Sequence, residues 1–263
     1  MTSLNNCLCL LLILILTSCK TSESNTDTNS ENEWISIFNG TDLTGWTPKI
    51  AGYASGEDPF NTFRVVDGAI TVSYENYDTF TNEFGHLFYD EILSNYHLKL
   101  KYRFFGDQVA GGQGWAFKNS GVMYHGQLPD SMDVDQGFPV SLEGQFLGGN
   151  GIDERSTGNL CTPGMDVVID GETITDHCIS SSSKTIHDDQ WVDFELIVKN
   201  NEYAHHIING DTVFTFENPT YGGRFLPEEM SEMAGLKVYE GTISLQSESH
   251  PIQFKDIELL RLK

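Results

Sequence analysis

Basic residues are scarce. The chain carries 15 Lys and Arg against 38 Asp and Glu in 263 residues, a formal charge of −23. A surface this acidic repels phosphate backbones and anionic lipid headgroups, which argues against nucleic acid as a partner and suits a neutral or cationic ligand. Long apolar runs are missing except for Cys7 to Leu16, which is too short to span a bilayer as a mature helix. The glycine-rich stretch Asp107 to Gly114 lacks a Gly-Lys-Ser/Thr ending and a following helical pattern, so it is not a phosphate loop. Helical periodicity is nearly absent, and Pro227 to Ala234 is the one short helix expected: proline suits the first turn, Glu228 and Glu229 its positive end, and Gly235 follows.

Cysteine is sparse too, with five in all. Cys7 and Cys9 lie in the apolar run. Leu16-Thr17-Ser18-Cys19 resembles a bacterial lipobox, which makes residues 1–18 a signal peptide and Cys19 the lipidation site. The segment Met1 to Asn6 departs from an export signal in having no Lys or Arg, and a plain secretory signal cut near Ser18 is the alternative. Residues 19–33 are rich in Ser, Thr, Asn and Glu and read as a flexible tether. The expected location is the bacterial cell envelope, with a lipid anchor in the membrane and the domain facing the periplasm or the cell surface. Cys161 and Cys178 remain, an even pair in an oxidising compartment, and a disulfide between them is expected; two free buried thiols are the alternative.

What the chain does have is alternation. Tyr96, Leu98, Leu100, Tyr102 and Phe104 face one way, with His97, Lys99, Lys101 and Arg103 the other, as in a half-buried antiparallel strand. Val192, Phe194, Leu196 and Val198 repeat the pattern. Asp67-Gly68 and Asn209-Gly210 each sit between two such runs and suit tight hairpin turns. Met165 to Asp170 and Glu172 to Thr175 form a smaller hairpin around Gly171. Leu43 to Trp46 reads as a turn-rich connection and Ala51 to Asn61 as a loop. Residues 34–263 are therefore expected to form one all-β domain, an antiparallel β-sandwich or jelly roll.

The central stretch is Ser141-Leu142-Glu143-Gly144-Gln145-Phe146-Leu147, a strand ending in Gly148 and Gly149. Alternation puts Glu143 and Gln145 on one face and Leu142, Gly144 and Phe146 on the other. A carboxylate beside an amide makes a floor for a polar ligand; an ordinary solvated sheet face is the alternative. The run Asn119 to Gly126 places Asn119, Gly121, Met123 and His125 on one face, with Gly121 leaving room for a close neighbour. Gln246, Glu248 and His250 share a face if their strand stays regular, and Arg155 is the cation nearest Glu143 in sequence. His205 and His206 are adjacent, point to opposite faces and read as structural.

The run Ile37-Phe38-Asn39-Gly40-Thr41-Asp42-Leu43-Thr44-Gly45-Trp46 resembles the opening signature of the 3-keto-disaccharide hydrolase family. Val66-Asp67-Gly68, Asn119-Ser120-Gly121-Val122, Glu143-Gly144-Gln145, Thr157-Gly158, Trp191, Asn209-Gly210 and Ile243-Ser244-Leu245-Gln246 follow in that family's order, over roughly Trp34 to Lys263. The resemblance implies a concanavalin A-like, laminin G-like jelly roll and glycoside substrates oxidised to a ketone at sugar C3. The chain departs from the family at Tyr124-His125-Gly126, where Leu-Arg-Gly is frequent, and at Gln246-Ser247-Glu248, where Gln-x-His is frequent.

The position paired with Glu143 is Gln145, an amide, and no Glu-x-Asp-x-x-Glu segment occurs. Direct hydrolysis of unmodified glucans by paired carboxylates is thereby disfavoured. A 3-keto glycoside is cleaved more easily, by removal of the acidified C2 proton and departure of the C1 aglycone. That chemistry assigns Glu143 as base and His250 or His125 as acid, with Asn119, Gln145, Arg155, Gln246 and Glu248 holding substrate. Alternatively, a divalent metal polarises the ketone, with Glu143, Glu248 and His250 as ligands. The rival function is a non-catalytic carbohydrate-binding module, with Trp115, Phe117 and Tyr221 as stacking candidates.

Overall fold

The computed structural model describes residues 33–263; the apolar run, Cys19 and nearly all of the tether lie outside the described residues. The strands in chain order are β1 (Ile35–Ser36), β2 (Trp46–Ile50), β3 (Phe63–Val66), β4 (Ala69–Val72), β5 (Gly85–Tyr89) and β6 (Asn95–Phe104). Then come β7 (Asn119–Gly126), β8 (Leu142–Leu147), β9 (Asn159–Cys161), β10 (Met165–Ile169), β11 (Glu172–Ile174) and β12 (Cys178–Ile179). The last are β13 (Val192–Lys199), β14 (Tyr203–Ile208), β15 (Asp211–Tyr221), β16 (Thr242–Ser247) and β17 (Ile252–Arg261).

Ten strands form one sheet in the order β11-β10-β15-β14-β13-β6-β17-β4-β3, with β1 also on β17. Seven form the second, β12-β9-β8-β7-β16-β5-β2. Every strand pairing is antiparallel, and the two sheets pack as a jelly roll.

The alternation expected for Tyr96–Phe104 holds: its five apolar side chains are buried, and Tyr96, Leu98, Leu100 and Tyr102 pair with Val198, Leu196, Phe194 and Val192 of the neighbouring strand β13. From the second sheet, Phe146 lies flat on Tyr102 with ring centroids 3.9 Å apart and meets Phe194 edge-on at 4.8 Å. Gly144 makes that fit possible, because a Cβ there would stand 2.8 Å from Phe194 Cζ. Leu142, Gly144 and Phe146 thus face the core, which turns Glu143 and Gln145 to the opposite face. Both hairpin turns form as expected, with Asp67 and Gly68 at φ 50° and 75° and Asn209 and Gly210 at 50° and 88°.

Two elements differ from the sequence reading. Trp46 opens a strand rather than closing a turn; the strand accommodates Pro48 because β2 lies at the sheet edge, where a missing N–H is tolerated. The short helix is a 3-10 turn, Glu228–Met233, with Pro227 as its N-cap. It has no side-chain cap and buries no residue, so nothing stabilises a full α-helix of that length. The expected disulfide is present: Cys161 and Cys178 are register partners on β9 and β12, with S–S 2.04 Å.

Candidate functional site

The second sheet's outer face carries polar side chains in aligned rows. Lys49 pairs with His86 and His86 with Gln246; Leu245 pairs with Val122, which puts Gln246 beside Gly121. Gly121 pairs with Gln145 and Gln145 with Asn159. The adjacent row runs Phe88, Ser244, Met123, Glu143, Cys161 and Cys178. Side chains two residues apart share a face, so Asn119 and Glu248 extend the same surface.

Loops cover this face and enclose a cavity of about 610 Å³. Asn119, Glu143, Gln145 and Glu248 give it a polar floor, with Arg155 at the side. Its walls are apolar: Trp115, Phe138 and Leu147 on one set of elements, the Cys161–Cys178 disulfide and Phe225 on another. Arg155 Nη1 donates to Gly148 O at 2.6 Å, and Gln145 Oε1 accepts from Asn159 Nδ2 at 3.0 Å.

The floor is unusual in what it leaves unpaired. Glu143 Oε1, Glu248 Oε2, Asn119 Oδ1, Gln246 Oε1, Ser244 Oγ and both ring nitrogens of His86 are buried with no protein partner. Each such group costs roughly 1–3 kcal/mol. Of these, Glu143, Glu248 and Asn119 line the cavity, where a polar ligand or ordered water completes their bonding; Gln246, Ser244 and His86 lie deeper in the same face.

Burial drives the electrostatics. It pushes the Glu143 carboxyl well above the ordinary carboxylate range, and it does the same to Glu248, which the neighbouring charge of Glu143 raises further. Two carboxyls facing one enclosed space do not both ionise readily, so the pair retains a proton at neutral pH. Burial, aided by Lys49, pushes His86 down to about 3, which keeps its ring neutral.

The structure gathers Glu143, Gln145, Asn119, Arg155 and Glu248 at the cavity. Gln246 lies deeper in the same face, its Nε2 3.9 Å from Met123 Sδ. The two histidines assigned as acids are elsewhere. A bulge shifts the β7–β16 register between Met123 and Gly126, and His125 there has φ 48°. The extra residue turns His125 off the cavity face, and its Nε2 donates to Asn200 O at 2.9 Å. His250 fails to share a face with Gln246 and Glu248 because the chain leaves strand geometry after Ser247, with Ser249 at φ 86°. Its ring is seated against Phe104 at 5.7 Å and Phe117 at 5.1 Å.

Glu143, Glu248 and His250 are therefore not assembled as a metal-ligand set, and among the described residues no group of three or more His, Cys, Asp or Glu converges. Of the stacking candidates, Trp115 lines the cavity and Tyr221 packs against the core, while Phe117 covers His250.

His86, Phe138 and Phe225 escaped the sequence reading. All five residues of β5 are buried, so Gly85–Tyr89 shows no alternation to mark a face. Phe138 and Phe225 lie in loops, where position follows from tertiary packing alone.

Two proteins of known structure have the same fold, both proposed glycosyl hydrolases from Parabacteroides distasonis ATCC 8503. One is 20% identical over 88% of this chain and 94% of its own, with a TM-score of 0.52. The other is 17% identical over 88% and 100%, also with a TM-score of 0.52. No curated protein matches. The family signature is decisive: residues 33–260 match the 3-keto-alpha-glucoside-1,2-lyase-like domain, and the chain belongs to that family.

Proposed function

We propose that the cavity binds a glycoside bearing a ketone at sugar C3 and cleaves its glycosidic bond by elimination, followed by hydration. The observation that carries this reading is the pair Glu143 and Glu248, buried, raised in pKa and facing one cavity beside unpartnered amide oxygens. The charge of either carboxyl disfavours ionisation of the other, and in the form that carries one proton one carboxyl serves as base while the other serves as acid.

Ionised Glu143 removes the proton from C2, which the C3 ketone acidifies. The C1–C2 double bond forms as the C1–O bond breaks. The departing oxygen keeps the bonding electrons and takes a proton from Glu248. Water then adds across the double bond and restores the 3-keto sugar. Gln145 and Asn119 stand beside Glu143 to donate to sugar hydroxyls or the enolate oxygen. Glu248 replaces the two histidines as the acid, because neither imidazole lines the cavity.

The test is Glu143→Gln and Glu248→Gln assayed on a panel of 3-keto glucosides, with folding checked by circular dichroism. Each variant is expected to lose about 10²-fold or more in turnover. Full turnover by folded Glu143→Gln removes it from the role of base. Wild-type protein that binds the panel without releasing aglycone supports a carbohydrate-binding module instead.

The lipobox-like sequence supports a second proposal, attachment to a cell-envelope membrane through a lipid on Cys19. Replacing Cys19 with Ala is expected to move the protein from the membrane fraction to the soluble one; unchanged partitioning overturns it.

A further inference from the structure

The glycine-rich stretch Asp107 to Gly114 is not a phosphate loop, and the cleavage chemistry gives it no role. It lies against the bend that follows β16. Ser249, at the centre of that bend, is 0% exposed and has φ 86°, in the left-handed region. A serine held there is strained, and such outliers persist only where the surrounding groups over-determine them.

Three protein groups do so. The Ser249 N–H donates to Tyr74 Oη at 2.6 Å. Val109 N–H donates to Ser249 O at 3.0 Å. Gln108 Nε2 donates to Ser249 Oγ at 2.9 Å and to Gln113 O at 2.8 Å. Every polar atom of Ser249 is therefore engaged. Gly112 lets Gln108 in, because a Cβ there would stand 2.7 Å from both Gln108 Nε2 and Ser249 Oγ.

Tyr74 is itself firmly seated. Its ring meets Tyr77 at 5.1 Å and Phe80 at 6.0 Å, both edge-on, and Tyr77 Oη pairs with Thr62 Oγ1 at 2.7 Å. Phe80 N–H donates to Ala110 O at 2.7 Å, which fastens the glycine-rich loop to the same aromatic cluster. Burial pushes the Tyr74 phenol pKa up, so the oxygen that accepts from Ser249 belongs to a neutral hydroxyl.

The residue before the bend is Glu248. Its Oε2 is buried without a protein partner, so on that side the carboxyl takes its direction from the backbone. The residue after the bend is His250, seated against Phe104 and Phe117. A regular strand through Ser249 would put Glu248 and His250 on one face. The bend separates them: the carboxyl lines the cavity and the imidazole does not.

We propose that Tyr74 is a positioning residue for Glu248: its phenol oxygen, with Gln108, holds Ser249 in the bend that aims the Glu248 carboxyl into the cavity. The inference rests on the proposed cleavage and adds to it the group that aims its acid. Tyr74 does not line the cavity, so its effect passes through Ser249.

The test uses the full chain and a pair of 3-keto glucosides of the same anomer. One has an alkyl aglycone, whose oxygen needs a proton to leave; the other has a nitrophenyl aglycone, which leaves as a stable anion. Tyr74→Phe keeps the ring and removes the acceptor. It is expected to lower kcat on the alkyl substrate about tenfold with KM within about twofold, and to lower kcat on the nitrophenyl substrate by about threefold at most. Loss of folded protein alone would lower both equally. Adding Ser249→Gly to Tyr74→Phe is expected to regain most of the loss, since glycine holds φ 86° without help. Equal losses on the two substrates, no loss, or no rescue overturn the inference and leave the cleavage reading standing. If wild type cleaves neither substrate, the cleavage reading fails, and crystal structures of wild type and Tyr74→Phe decide the inference. Ser249 and Glu248 unmoved overturn it; Ser249 relaxed from positive φ with the carboxyl displaced from the cavity supports it.

Discussion

Glu143 lies across the bare Cα of Gly121: a Cβ built on that glycine would stand 2.6 Å from Glu143 Oε1 and 2.9 Å from its Cγ. The strand β7 therefore needs a glycine where β8 needs its carboxylate. Gly121→Ala is expected to displace Glu143 and to lower kcat on a 3-keto glucoside by about 10²-fold. Stability should fall by only about 1–3 kcal/mol, the ordinary cost of overpacking. Wild-type kcat in a folded Gly121→Ala protein would show that the position of Glu143 does not limit the reaction.

The carboxyl pair and the buried histidines give stability opposite pH dependences. His206 is neutral when folded: Nδ1 donates to Gly158 O at 3.0 Å and Nε2 accepts from Tyr124 Oη at 2.7 Å. Burial pushes its pKa down to about 4 from 6.5. A depressed folded pKa gives stability that is complete above pH 6.5 and is lost as pH falls through about 4. Between pH 7 and pH 4, denaturant unfolding of wild type should lose roughly 3 kcal/mol more stability than His206→Gln does. An equal loss in the two proteins contradicts it.

The pair works the other way. Glu143 and Glu248 have raised folded pKa values, so their contribution is present below the unfolded carboxylate range and is lost as pH rises through the folded values. Glu248→Gln removes one buried acid and is expected to raise the melting temperature at pH 8 more than at pH 5. The same direction governs activity: turnover needs one ionised carboxyl, so the acidic limb of the kcat/KM profile should lie above the ordinary carboxylate range. A limb near 4.5, the unshifted glutamate value, would remove burial as its cause.

His86 has no protein partner on either nitrogen and is 0% exposed. Replacing an unpaired buried polar ring with an apolar side chain is neutral or stabilising. His86→Leu is expected to keep or raise the melting temperature. A lower melting temperature would show that the ring is held by the fold.

The fold was legible because alternation and turn chemistry are local. The β6 and β13 patterns and the Asp67-Gly68 and Asn209-Gly210 turns required no knowledge of distant residues. Glu143, Gln145 and Asn119 were legible for the same reason, since they lie on regular strands where parity fixes the face. His125 and His250 were misplaced where parity breaks, at a bulge and at a bend with positive φ. Glu143 and Glu248 were grouped from the sequence only as metal ligands with His250; that they face one cavity without that histidine depends on how β7, β8 and β16 align, and 105 positions of sequence separate the two residues.

The Cys161–Cys178 bridge forms part of the cavity wall and fastens β12 to β9. Reduced protein carries that wall unstitched, lacking about 3 kcal/mol of restraint on the loop between the two cysteines. A reductant is therefore expected to loosen the cavity before it unfolds the sheets that carry it.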